Sequence, residues 1–428
     1  MNRLSTPQGD PIALVAGMRT PFARRLTALR GLDAIDLGIR VTTELLASSG
    51  MDPALVQRVV YGQVIGAPPA ANIAREVVLG CGLNPCTDAY SVMRGCATSY
   101  QAAVAIIQAI QCGEIEVGLA GGADSSSALP ITVSPQLADT VLAFNKARNV
   151  RRRLAALRGL RLRHLIPKPP VITDYTTGLT LADSAEQIAK AYAISRAAQD
   201  ELTLRSQRLA AQAWQNGLLA EQVMAVYRVQ TGQIYAQDNT LSDNEESHSL
   251  AELPPLCDPD YGTVTVGNST ALADGAASVL FMGYQQALGL GLHPLATVRS
   301  YAFSAGDPFA PVMLGGLSAV PLALERAGLT LADIDLIDVH EASAAHVLAT
   351  LHCWETQGSQ GFDALGAVDR QRVNTQGGSL AYGHPFAATG ARQLLQLAWQ
   401  LRHLGGGLGL ALASATGGMG AAMVLEVT

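Results

Sequence analysis

Residues 95–124 read GCATSYQAAVAIIQAIQCGEIEVGLAGGAD. A glycine and a cysteine open an apolar helical run, a turn at Cys112-Gly113 closes it, and a glycine-flanked apolar strand follows. Residues 383–418, GHPFAATGARQLLQLAWQLRHLGGGLGLALASATGG, repeat the design with other letters. Here a glycine, a histidine and a proline open the helix, and the strand is again fenced by glycines. Each half of the chain thus carries a reactive side chain at the same place in one unit. Strand, turn and helix recur widely, so the likeness alone leaves duplication and coincidence both open.

Outward from these stretches, strand-like runs recur at IALVAG (Ile12 to Gly17), VVYGQVIG, ASVLFMGY, ATVRSYAF, DIDLIDVH and AAMVLEV. Helical patterns lie between several of them, as in AIDLGIRVTTELLASS, Val320 to Ala327 and Arg392 to Leu401. Continuous apolar runs alternating with helices predict an α/β fold with fully buried strands. The length of 428 residues predicts two or three sub-domains, and 49% hydrophobic against 15% charged residues predicts a large core and excludes a disordered chain. Forty-two glycines without a three-residue period mark turns and close approaches, not collagen.

A net charge of −6 gives no reason to expect nucleic-acid binding. No run of about 18 apolar residues occurs and the start lacks a signal-peptide pattern, so a cytoplasmic location is the expectation. Six cysteines without a CxxC pair predict reduced thiols, with neither a disulfide framework nor a zinc site. One stretch departs from the overall balance. Between Phe144 and Thr173 there is no acidic residue, while Lys146, Arg148, Arg151, Arg152, Arg153, Arg158, Arg161, Arg163 and Lys168 stand among leucines. It reads as a solvated helix face, a docking surface for an acidic partner or anionic membrane, or a clamp for a substrate phosphate.

Cys96 lies where a helix begins, and the positive end of the helix dipole favours a thiolate nucleophile there, although a lone cysteine is more often structural. His384 has glycines on both sides and a proline suited to a first helical turn, a setting for close ligand approach or for a satisfied core histidine. His340 and Glu341 stand at the C-terminal end of the strand DIDLIDV, where α/β sheets build sites. HEASAAH does not have the HExxH spacing, so metal binding is not expected.

The segments GMRTPFAR, CATSYQA, GGADSSS, GTVTVGNST, HEAS, GGSLAYGHPFAATGAR and GGMGAAMVLE stand in the order seen in thiolases. The chain resembles that family from Ile12 to Glu426, most nearly the thiolase subunit of bacterial fatty-acid-oxidation complexes. The resemblance implies two duplicated five-stranded α/β halves in layers with an inserted loop domain. It places the N-terminal half at 1–125, completed by about 262–284, the loop domain over the coenzyme A site at 126–261, and the C-terminal half at 285–428. It implies an acyltransferase acting on acetyl-CoA and 3-ketoacyl-CoA, with coenzyme A thioesters as substrates and no cofactor.

Carried over by position, Cys96 is the acylated nucleophile, His384 its activating base and oxyanion donor, and His340 a stabiliser of the thioester enolate. Thr270, Ser269 and Gly418 are substrate-binding positions. A homodimer or homotetramer, and a hydratase-dehydrogenase partner or membrane surface met through 146–168, are implied as well. Three departures stand out: Gly95 where alanine is usual, Ser343 where an aromatic is usual, and Ser414 where the family has its second cysteine. An alcohol is a far weaker acid than a thiol near pKa 8.5 and is poorly matched to proton exchange at an α-carbon. Two enzyme readings follow, ordinary thiolysis or condensation, and transfer of the acyl group to a non-acetyl-CoA acceptor. A non-catalytic binding subunit is disfavoured by the intact Cys96 and His384.

Overall fold

The computed structural model describes residues 3–66, 70–130, 133–166, 173–229, 231–241, 250–310, 312–359 and 361–428. Met1–Ala128 together with Asp174–Thr428 form one compact unit, and Leu129–Thr173 form a second.

Twelve strands are described: β1 (Ile12–Arg19), β2 (Ala23–Arg24), β3 (Arg58–Gly62), β4 (Asp88–Val92), β5 (Val117–Ser125), β6 (Val226–Arg228), β7 (Gln233–Tyr235), β8 (Ala273–Gly283), β9 (Ala296–Ala305), β10 (Leu336–Val339), β11 (Gly407–Ala415) and β12 (Met419–Val427). In the large unit the strand order is β10-β11-β12-β9-β1-β8-β5-β3-β4, with β2 on β8; β6 and β7 form a separate hairpin. The order contains its own repeat. β3 is parallel to β5, which is antiparallel to β8, which is antiparallel to β1; β10, β11, β12 and β9 follow the same rule. Among the described strands, the two sets pair where β1 meets β9 at Ala13 and Leu14.

Duplication therefore holds at the level of connectivity. The N-terminal set has the edge strand β4 beside β3, whereas the corresponding edge of the C-terminal set is reduced to one bridge, Ile337 to Val373. The segment leading to that bridge, GFDALGAVDRQR, is rich in glycine and charge and offers no alternating apolar face.

The layers follow from where apolar residues lie. Helix Ala34–Ser49 buries Leu37, Val41 and Leu45 on one face and shows Glu44 and Ser48 on the other, so it covers the outside of the N-terminal strands. Helices Ala319–Ala327 and Ala344–Thr356 do the same for the C-terminal strands. Helices Thr98–Gln111 and Thr389–Leu404 are buried on nearly every side, touch each other and contact strands of both sets. They form the central layer, which explains why their sequences are apolar or uncharged all round except at buried Arg392 and at Arg402 and His403 in the exposed last turn.

In the second unit, helix Pro135–Lys146 is capped by Ser134 and helix Val150–Leu157 by Asn149, and the two pack together. Arg153 lies over the Phe144 ring. The other seven basic residues of the stretch that are described turn their charge outward: Lys146, Arg148, Arg151, Arg152, Arg158, Arg161 and Arg163 are exposed, as are Leu154, Leu162 and Ile166. Lys168 lies outside the described residues.

Candidate active site

Cys96 precedes helix Thr98–Gln111 in a tight turn. Gly95 has φ +52°, which suits glycine, and Thr98 caps the turn by donating to the Gly95 carbonyl at 2.7 Å. A Cβ on Gly95 would lie 3.2 Å from Ala415 and 3.4 Å from Thr416 Oγ1, so the cysteine loop abuts the end of β11. His384 does not open the long helix directly, as the sequence suggests. It sits in a connector between helix Ser379–Tyr382 and a short 3-10 turn, Phe386–Ala388, and the helix begins at Thr389. The His384 N–H donates to the Ala271 carbonyl at 2.9 Å, which lays residues 269–272 beside the histidine.

The two reactive side chains meet. His384 Nε2 lies 3.0 Å from Cys96 Sγ and Nδ1 lies 2.7 Å from Thr389 Oγ1, with cysteine and histidine both buried. His340, from the end of β10, joins them with its ring centroid 4.3 Å from that of His384. Donor atoms of Cys96, His340 and His384 all lie within 4.8 Å of one another. These atoms could in geometry hold a soft metal ion, but the spacing of Sγ and Nε2 is that of a shared proton, which suits nucleophile and base.

Burial sets the charge state. It pushes the Cys96 thiol up to about 12, with a backbone hydrogen bond lowering it and the nearby Asp124 raising it. It pulls His384 down to about 3, with the Arg392 charge adding to the effect, and holds His340 well below the usual histidine range. The helix dipole favours the thiolate but desolvation outweighs it, so the thiolate is left to be made by His384 as base. The pair rests as thiol and neutral imidazole.

The remaining positions divide. Thr270 Oγ1 donates to the Ser379 carbonyl at 2.6 Å, and its N–H donates to Ala342. Ser269 bridges to Ser343, and its buried hydroxyl has no hydrogen-bond partner among the described residues. Ser343 caps helix Ala344–Thr356 through the His346 amide, so serine there has a structural task besides removing an aromatic wall. Ser414 is buried on β11, where its hydroxyl accepts from the Gly316 N–H at 3.0 Å. Gly418, at φ +72° in the β11–β12 turn, accepts from the Gly306 N–H and lines a separate cavity with Tyr192, Asp307 and Cys353.

Two buried acids take their supporting roles from contacts across the fold. Asp124 accepts from the amides of Val64, Ile65 and Ala387, tying β5 to the segment after His384. Glu341 accepts from Ser206, Asn374 and the Leu380 amide beneath His340. Only the acid in GGAD and HEAS hints at them.

Residues 12–285 match the family described as "Thiolase, N-terminal domain" and 292–427 match "Thiolase, C-terminal domain". The chain belongs to the thiolase family. It is thereby an acyltransferase of the acetyl-CoA C-acyltransferase type. A 3-ketoacyl-CoA thiolase of Pectobacterium atrosepticum is 52% identical, covering 99% of this chain and 98% of its own length. One from Aeromonas salmonicida is 50% identical, over 99% of each chain. Among solved structures, human mitochondrial 3-ketoacyl-CoA thiolase superposes with a TM-score of 0.84 at 30% identity, covering 98% of this chain and 99% of that one. The Bacillus anthracis acetyl-CoA acetyltransferase gives 0.85 at 28% identity, over 99% and 100%.

Proposed function

We propose that this thiolase interconverts 3-ketoacyl-CoA plus CoA with acetyl-CoA plus a shortened acyl-CoA, through an acyl group carried on Cys96. The observation that carries the reading is the buried 3.0 Å contact between Cys96 Sγ and His384 Nε2. As Sγ attacks the 3-keto carbonyl, its proton passes to His384, and the developing oxyanion meets the N–H so formed. The bond between the α-carbon and the keto carbon then breaks, its electron pair passing to the enolate of acetyl-CoA beside His340. Protonation of that α-carbon completes the first product, at the step where the family uses its second cysteine and this chain has Ser414. Coenzyme A thiol then attacks the Cys96 thioester and releases the shortened acyl-CoA.

Ser269 and Thr270 are proposed to meet the pantetheine arm, which the unpartnered Ser269 hydroxyl supports; Gly418 is assigned to substrate binding by family position alone. Transfer to a non-acetyl-CoA acceptor gains nothing from the relatives, which are named 3-ketoacyl-CoA thiolase. The division into halves at 1–125 with 262–284 and 285–428, and a loop domain at 126–261, remains part of this proposal, as do a cytoplasmic location and a dimeric or larger assembly. No helix among the described residues is long and apolar enough to cross a membrane. The exposed leucines among arginines of the second unit support docking on an anionic surface, whether lipid or a hydratase-dehydrogenase partner.

The test is intact-protein mass spectrometry after mixing with acetyl-CoA. One acetyl adduct is expected, and Cys96→Ala should lack it; an adduct that survives the substitution places the nucleophile elsewhere. His384→Ala should slow its formation by roughly 10² to 10⁴.

A further inference from the structure

His340 has two ring nitrogens with different surroundings. Nδ1 lies 2.9 Å from Ser379 Oγ, while Nε2 is buried and makes no hydrogen bond among the described residues, on a ring that faces His384 and Cys96. The serine is itself engaged from behind, because Arg392 Nη2 stands 3.4 Å from Ser379 Oγ. Arg392 is fixed in turn by Asp338 Oδ2 at 3.0 Å and Gln396 Oε1 at 3.1 Å from Nη1, all of it buried.

A guanidinium can only donate, so it occupies a lone pair of Ser379 Oγ and leaves that oxygen a poorer acceptor and a better donor. The single Ser379 hydroxyl proton then has one partner in reach that satisfies it, His340 Nδ1. The opposite arrangement, Nδ1–H donating to Ser379, would load the oxygen with two donors and strand its own proton in a dry site. With Nδ1 accepting, the proton of the neutral ring belongs on Nε2. The buried unpartnered atom is therefore a donor awaiting an acceptor.

Resting on the acyl-transfer reading above, we propose that Arg392 and Ser379 are positioning residues that hold His340 as its Nε2–H tautomer, aiming a neutral N–H at the carbonyl oxygen of the acetyl thioester. The relay accounts for a serine in GGSLAYGHP facing a histidine in HEAS: that histidine has two tautomers, and only one presents a donor to an enolate oxygen. It acts as the carbon–carbon bond breaks, a step that labelling of Cys96 by acetyl-CoA does not include. Cys96 and His384 have their own contacts, and neither includes Ser379.

The experiment is ¹⁵N spectroscopy of the histidine-labelled protein, with His340→Asn assigning the His340 signals. The parent should show a protonated Nε2 and an unprotonated Nδ1. Ser379→Ala should convert these to the averaged shifts of exchanging tautomers, and Ser379→Thr should restore the parent pattern. In kinetics, Ser379→Ala should lower kcat for 3-ketoacyl-CoA cleavage by about tenfold or more, short of the roughly 10² to 10³ lost when an oxyanion donor is removed outright. The rate of Cys96 labelling by acetyl-CoA should not change. A protonated Nδ1 in the parent overturns the proposal without any variant, as does Ser379→Ala with unaltered His340 signals. Failure of Cys96 to label in the parent instead sinks the acyl-transfer reading and leaves the tautomer result standing.

Discussion

Cys96 and His384 keep their proton as a neutral pair because neither charged form is solvated, and this has a pH signature in stability. A free histidine titrates near 6.5 and His384 near 3 in the fold, so between those values the unfolded chain takes up a proton that the native state refuses. The stability contributed by the neutral ring is complete above pH 6.5 and is lost as pH falls toward 3. Cys96 works in the other direction: its contribution is complete below pH 9 and is lost as pH rises toward 12. His384→Gln removes the acid-side cost, so the Tm of the variant minus that of the parent should rise as pH drops from 7 to 5; a constant difference would show that the imidazole titrates in the fold as it does in the unfolded chain. Ser414 is a second residue-scale question. Its hydroxyl is held by the Gly316 amide, and proton exchange with an α-carbon is poorly matched to an alcohol. Ser414→Cys should raise the rate of 3-ketoacyl-CoA cleavage by roughly 10² while leaving acetyl labelling of Cys96 unchanged. No gain in cleavage would mean that serine or a neighbour already performs the proton step.

At the scale of elements, what positions the site is close backbone packing. Gly122 on β5 lies against the Ala387 carbonyl, where a side chain would overlap it. That segment carries Phe386 against the His384 ring, at 4.8 Å between centroids. Gly122→Ala should therefore push the connector away, cost about 1–3 kcal/mol in stability and slow Cys96 labelling, read by denaturant melts and by mass spectrometry. Parent-like labelling would mean that the connector adjusts freely. The long buried strands and the helices beside them were legible because apolar runs of strand length were fenced by glycine. β4, DAYSV, carried no such run, being an edge strand with Asp88 and Tyr90 exposed, and its existence depends on β3 beside it. The site was half legible. Cys96 and His384 stood out by their glycines and helix starts, and His340 and Glu341 by the end of their strand, but Ser379, Arg392 and Asp124 act through contacts across long sequence separations, and the nearby contact of Thr389 with His384 has no mark in the sequence. The burial that raises the Cys96 thiol was not legible either, since burial is a property of the fold and not of the turn.

Across the whole molecule, each copy of the duplicated unit supplies part of one site: the first gives Cys96 and the second gives both histidines. Charge is partitioned far less evenly. The net value is −6 with nine uncompensated positive charges in Lys146 to Lys168, so the remaining chain carries −15. A uniformly acidic protein would be repelled by an anionic surface, and a concentrated basic hairpin is what reverses the sign locally. In the second unit the arginines of helix Val150–Leu157 are exposed together with Val150 and Leu154, giving both electrostatic attraction and apolar insertion. The protein is expected to sediment with vesicles containing an anionic phospholipid at low salt, and to be released toward 1 M salt, where the Debye length shrinks to about 3 Å. Replacing Arg151, Arg152 and Arg158 with Glu should abolish that binding and leave Cys96 labelling at the parent rate, because these exposed side chains have no role in folding the acyl-transfer site. Undiminished vesicle binding by the charge-reversed protein would remove lipid docking. Capture of a hydratase-dehydrogenase by the parent but not by the reversed protein, without vesicle binding by either, would assign the same basic face to the protein partner instead.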